Sequence, residues 1–209
     1  LARLLPELDR LFGVPQRADY HPEIDTGVHV MMALDHSARQ GYALAVRFAV
    51  LMHDLGKGLT PAADLPRHPG HEARSVELVG EVCARLKTPA DCRDLALLVA
   101  RYHGDIRRGP ELRAATITRL LESADALRRP QRFEQLLEAC ACDFHGRLGW
   151  EEKPIPDAQL FLRALDASPQ RATANAVLKR RTMVALPFIA RLLLRLHDRQ
   201  GRAGRSCRQ

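Results

Sequence analysis

Between Leu44 and Leu55 the chain is apolar at every position except Arg47, His53 and Asp54. A helix of that composition has to be buried, and it carries His53 and Asp54 inward with it. A buried carboxylate is costly unless something pairs with it. A divalent cation is one such partner, because adjacent His and Asp side chains can both reach a single ion. The dipeptide alone proves little, since His197-Asp198 repeats it in a basic stretch without those surroundings.

The apolar spacing is helical throughout and no strand-like alternation persists, which predicts an all-α fold. Asp25 or Thr26 caps a helix running to Gln40. Leu44 to Leu55 is the central helix, ended by Gly56-Lys57-Gly58, and residues 59–70, with Pro61, Pro66, Pro69 and Gly70, form a loop. Further helices are expected over His71–Leu86, Pro89–His103, Glu111–Arg129 and Gln131–Cys142, with a break from Gly104 to Pro110. The expected division is a lead-in helix and loop over 1–25, a helical bundle over 26–127 and a helical tail region over 128–209. Ala172–Arg199 holds one or two helices around Pro187, and about the last ten residues are expected to be disordered.

The net charge of +7 is unevenly spread. Residues 1–170 carry 22 basic and 24 acidic side chains, whereas residues 171–209 carry ten basic residues and Asp198 alone. The last segment can hold a phosphate backbone, or simply be solvated. No run approaches the roughly 18 apolar residues of a membrane span. Charges at Arg3, Glu7, Asp9 and Arg10 argue against a signal peptide. The five cysteines form no C-x-x-C pair, which predicts packing roles in a reducing cytoplasm. A homodimer is compatible with one helical core, but no residue calls for it.

Nine histidines prompt the question of which converge. His29 lies on the helix before His53, with His36 as its rival seven residues on. His71 opens the helix after the Pro/Gly loop, with His68 as its rival, and His103 ends another. Asp125 sits in the helix after that, where Arg128 or Arg129 offers a simple ion pair instead. Imidazole and carboxylate together suit borderline or hard ions such as Mn²⁺, Ni²⁺, Fe²⁺ and Mg²⁺. Lys57 faces a bound phosphate or caps the preceding helix. Asp143 and Arg147 read as a structural ion pair, and His21, His145 and His197 as surface residues.

The pattern H…H-D-x-G-K…H…D on successive helices resembles the HD-domain superfamily of metal-dependent phosphohydrolases. The stretches HPEIDTGVHVMM, VRFAVLMHDLGKGLTP, PRHPGHE, CRDLALLVARYH and RRPQRFEQLLEACACDFHGR resemble, in order and spacing, the C-terminal half of bacterial multifunctional CCA-adding tRNA nucleotidyltransferases. The likeness covers roughly residues 1–165. It implies a 2′,3′-cyclic phosphodiesterase, 2′-nucleotidase and phosphatase acting on RNA or tRNA 3′ ends and on small phosphate esters. The ion, Ni²⁺, Mg²⁺ or Mn²⁺, would be held by His29, His53, Asp54 and Asp125. His71 and His103 would bind phosphate or, with Asp54, a second ion, and Lys57 would steady the phosphoryl oxygens. Such an ion lowers the pKa of bound water for in-line attack.

Two departures qualify the resemblance. The chain contains no D-x-D pair, so the nucleotidyltransferase head is not expected and nor is nucleotide polymerisation. The family pattern also has an H-D pair where this chain has His103-Gly104. Asp105 is one residue, about 100°, further round the helix. A tRNA-binding module with weak or no catalysis is therefore the alternative expectation.

Overall fold

The structure is a computed structural model that describes residues 1–155 and 158–167. Among the described residues there are eight α-helices and no strand beyond one isolated bridge between Pro15 and Asp25. The helices are α1 (Pro6–Asp9), α2 (Thr26–Arg39), α3 (Leu44–Met52), α4 (His71–Leu86), α5 (Ala90–Arg107), α6 (Ala114–Ser123), α7 (Pro130–His145) and α8 (Ala158–Asp166). Residues 1–164 form one compact unit, and 165–167 are the described part of a second. The expected helices over 172–199 and the expected disorder of the last residues lie outside the described residues.

The all-α expectation holds, and α3 is the central element, packed against α2, α5 and α7. Val46, Ala49, Val50 and Met52 are fully buried there, against Val30 and Ala33 of α2 and Leu95, Ala96 and Val99 of α5 as the rest of the core. Asp25 caps α2, its Oδ1 accepting the Val28 amide at 2.9 Å. Its Oδ2 accepts the Gly13 amide at 2.6 Å, which fixes the loop that precedes the helix.

Three helix ends differ from the sequence expectation. Helix α3 stops at Met52, and a 3-10 turn over Leu55–Leu59 follows. That turn is pinned beneath α4, where the Gly56 amide donates to Ser75 Oγ at 2.8 Å and Arg74 donates to the Gly56 carbonyl. The early stop leaves His53 and Asp54 at the helix end. Helix α5 runs through Gly104 to Arg107, so the expected break falls later, at the 3-10 turn Gly109–Glu111 around Pro110. Helix α6 closes at Ser123, and Asp125 follows with φ 55°, a left-handed conformation that Asp tolerates better than most residues.

At the end of α7, a Cβ on Gly146 would come within 2.5 Å of Ala33 Cα. The bare backbone there lets the end of α7 close on α2, one helical turn from His29 and three residues from Asp143. This contact positions the site.

Candidate metal centre and cleft

Three histidines reach one carboxylate. His53 Nδ1 donates to the Val50 carbonyl at 2.7 Å, His71 Nδ1 to that of His68 at 2.8 Å, and His103 Nδ1 to that of Val99 at 3.0 Å. With each Nδ1 proton committed to the backbone, a ring in its neutral form would offer Nε2 as a ligand, as metal-binding histidines do. All three Nε2 atoms face Asp54. His53 Nε2 is 3.1 Å from Oδ2, while His71 and His103 Nε2 are each 3.5 Å from Oδ1 and 3.4 Å from each other.

Asp54 Oδ1 and His53 Nε2 are buried with no hydrogen-bond partner. Against its burial, Asp54 and Asp143 raise the His53 pKa, so the cluster calls for positive charge, which a proton on the ring or a bound cation supplies. The triangle of 3.4 and 3.5 Å also matches the roughly 3.4 Å ligand separation of a tetrahedral ion with bonds of about 2.1 Å. Lys57 supplies the one charged donor: its buried Nζ lies 2.7 Å from Asp54 Oδ2 and donates to Gln16 Oε1 at 2.6 Å. It does not cap α3.

The second cluster shares His53. His29 is fully buried on α2, with Nε2 2.9 Å from Asp143 Oδ1, and His53 Nε2 lies 3.9 Å from the same oxygen. On its other side His29 Nδ1 is 2.8 Å from Glu23 Oε1, off the line of a hydrogen bond. With a cation on the Asp143 side, His29 Nε2 would be its ligand atom and the ring proton would sit on Nδ1, beside the Glu23 carboxylate. Among the described residues, His29, His53 and Asp143, and His53, Asp54 and His103, form groups with ligand atoms within 4.8 Å of one another. Imidazole and carboxylate, all buried, are a donor set that fits a divalent ion.

Electrostatics follow the same plan. Burial opposes charge on Asp54, yet His53 and Lys57 outweigh it and hold its carboxyl well below the usual range. Asp143 is held down in the same way, against burial, by Arg147 and His29. Burial raises the cost of charging His71, whose pKa is pushed down to about 4, so its Nε2 stays a lone pair at neutral pH.

Asp125 is not brought to the site. Its carboxylate accepts from Arg128 at 2.6 Å and lies 3.5 Å from Arg129, the ion pair that its surroundings also suggested. The left-handed turn at Asp125 directs it to that arginine cluster, and Asp143 of α7 stands beside His29 and His53 instead. Asp143 carries the same signal as Asp54, a carboxylate beside a buried apolar position (Cys142) on a core helix. His36 stacks on His145, away from the site, and His68 Nε2 donates to the Pro15 carbonyl at 3.1 Å while its Nδ1 lies 2.8 Å from Thr60 Oγ1. His21, expected at the surface, is 6% exposed and bonded to Glu23 at 3.0 Å. Glu23 and His21 were not singled out as site residues, because a loop gives no periodicity from which burial can be read.

A cleft of about 230 Å³ opens onto Asp54, Lys57, His71 and His103. Arg17, Arg67 and Arg107 line it further out, a basic rim suited to a phosphate ester. Gly104 also lines it. A Cβ there would meet Glu72 Oε1 at 2.9 Å, so the Glu72 carboxylate fills the space of the missing side chain. Asp105 does not replace it, being paired with Arg108 at 2.8 Å.

This helical bundle with a His/Asp centre is that of an HD domain: the family's profile matches residues 26–167, and the chain belongs to the HD domain family. Within it, the chain is similar to the multifunctional CCA protein of Dechloromonas aromatica (strain RCB), 66% identical over 167 residues, which are 80% of this chain and 40% of the relative. It is 63% identical over 168 residues to the multifunctional CCA protein of Burkholderia pseudomallei (strain 1106a), and 62% to that of Burkholderia cenocepacia (strain HI2424), covering 80% of this chain and 41% of each relative. The chain thus spans about two fifths of the length of these curated relatives. No solved structure matches it.

Proposed function

We propose that the chain is a metal-dependent phosphohydrolase, with 2′,3′-cyclic phosphodiesterase, 2′-nucleotidase and phosphatase activity on RNA or tRNA 3′ ends. The observation that carries this reading is the convergence of the buried Nε2 atoms of His53 and His103, and that of His71, on the buried Asp54 carboxylate, opening on a basic cleft. His29, His53, Asp54 and Asp143 would hold a divalent ion, Ni²⁺, Mg²⁺ or Mn²⁺, and His71 and His103 with Asp54 Oδ1 a second. The bound metal supplies a water of lowered pKa and a Lewis acid.

The chain's own residues do the rest. Lys57 keeps Asp54 ionised and aims its charge at the cleft floor, where it offsets negative charge building on phosphoryl oxygens. His71, which burial holds neutral, and His103 form the wall beside it. Arg17, Arg67 and Arg107 attract and orient the phosphate before reaction. The RNA 3′ end as substrate comes from the resemblance to CCA-adding tRNA nucleotidyltransferases, which the relatives' name, multifunctional CCA protein, supports, and a cytoplasmic location fits that substrate and the four free cysteines among the described residues.

Chelator-stripped chain should hydrolyse 2′,3′-cyclic AMP once Mg²⁺, Mn²⁺ or Ni²⁺ is restored. Asp54→Ala and Asp143→Ala should each lose at least about a hundredfold in rate, whereas Asp125→Ala stays within about twofold. Absence of hydrolysis with any ion, in a folded chain, overturns the reading. It would favour the second one, a tRNA-binding module, to which Gly104 and the net charge of +9 over residues 171–209 lend support. That module's affinity should then fall steeply with salt.

A further inference from the structure

Tyr20 is a large aromatic side chain left 46% exposed, and it lines the same cleft as Lys57 and His103. Two guanidinium groups flank its ring. Arg17 lies 4.9 Å and Arg107, from α5, 5.7 Å from the ring centroid. The turn that carries Tyr20 is fixed by bonds from the Tyr20 and His21 amides to the Arg17 carbonyl, at 3.1 and 2.9 Å. Arg17 is itself tied to Asp19 by two hydrogen bonds. The cleft therefore has a phosphate end at Lys57 and a rigid aromatic and planar-cation surface beside it.

A phosphate alone needs charge and donors, and the Lys57 end provides them. An aromatic ring with flanking arginines provides what a nucleobase needs, since every base has a π-face that stacks on aromatic rings and guanidinium planes. We infer that Tyr20, with Arg17 and Arg107, is a shelf for the nucleobase next to the reacting phosphate, so that the cleft selects nucleoside phosphates over simple phosphate esters. The inference rests on the proposed function for its phosphate end and names the residues that would hold the base of that substrate.

The test is the affinity of the chelator-treated full chain for adenosine 2′-monophosphate and for ribose 5-phosphate, measured by calorimetry. The second ligand has sugar and phosphate without a base. The unaltered chain should bind the nucleotide about tenfold more tightly, as one stacked base contributes. Tyr20→Ala should erase that preference and Tyr20→Trp should keep it. Equal affinities in the unaltered chain overturn the shelf, as does a Tyr20→Ala loss of the same factor on both ligands. Turnover is read separately with Mn²⁺ restored: a base preference in a chain that then hydrolyses neither ligand supports the shelf and removes the catalytic reading. Hydrolysis without base preference does the reverse.

Discussion

His21 shows what a single buried ring costs. Burial makes charging it unfavourable and pushes its pKa from 6.5 to about 3, despite the hydrogen bond to Glu23, with Lys57 nearby adding to the effect. Below pH 6.5 the unfolded chain takes up a proton here that the folded chain refuses until about pH 3. The unfolded state then binds more protons, so folding stability falls as pH falls through that window and is unaffected above it. His21→Gln should flatten the acid side of the stability curve between pH 6.5 and 4, read by urea unfolding at a series of pH values. An unchanged slope would mean that the ring is solvated. The same scale shows what could be read from sequence. His29, His53, Asp54 and Lys57 were legible because each lies on or just after a strongly periodic apolar helix. Asp125 was preferred and Asp143 read as an ion pair, because Asp125 lay within a predicted helix while Asp143 fell just past the end of another, and neither the left-handed turn at Asp125 nor the extension of α7 to His145 shows in the spacing. Spacing along a chain does not reveal a backbone sign.

Helix ends, more than helix middles, set this site. Helices α2 and α4 were legible almost to the residue, Asp25 giving one start and the Pro/Gly loop before His71 the other. The ends of α3 and α5 were not, since Gly56 and Gly104 read as stops, whereas tertiary contacts set the first stop earlier and carry the second helix past its glycine. Capping and close approach can be tested separately. Asp25→Ala removes the cap of α2 and the bond to the Gly13 amide, and should cost about 1 kcal/mol, to about 2 if both bonds count. Gly146→Ala should cost more, about 2–3 kcal/mol, because the added methyl meets Ala33 backbone that cannot give way. It should also weaken metal binding by pushing Asp143 from His29. A Gly146→Ala chain of unchanged stability and metal affinity would show that α2 and α7 can part without consequence.

The whole bundle is organised around a point where three distant parts of the sequence meet. His29 comes from α2, His53 and Asp54 from the end of α3, and Asp143 from α7, 114 residues from His29. These groups do not assemble in the unfolded chain, so an ion that binds them binds the folded state and stabilises it by mass action. At a hundred times its dissociation constant the gain is about 2.7 kcal/mol. For a domain of this size that is a rise of roughly 5–10 °C in melting temperature. Chelator-treated chain should therefore melt lower than chain given Ni²⁺, Mn²⁺ or Mg²⁺, and the rise should increase with ion concentration. Asp143→Ala should remove most of the rise, because it takes one ligand from the helix that closes the ring of contacts. Asp125→Ala should leave it intact, because Asp125 is paired with Arg128 and Arg129 rather than with the histidines. If neither variant alters the rise, the ion sits elsewhere. If no ion produces one, the buried lone pairs around Asp54 are satisfied by protons alone, and the bundle is held without a metal at its centre.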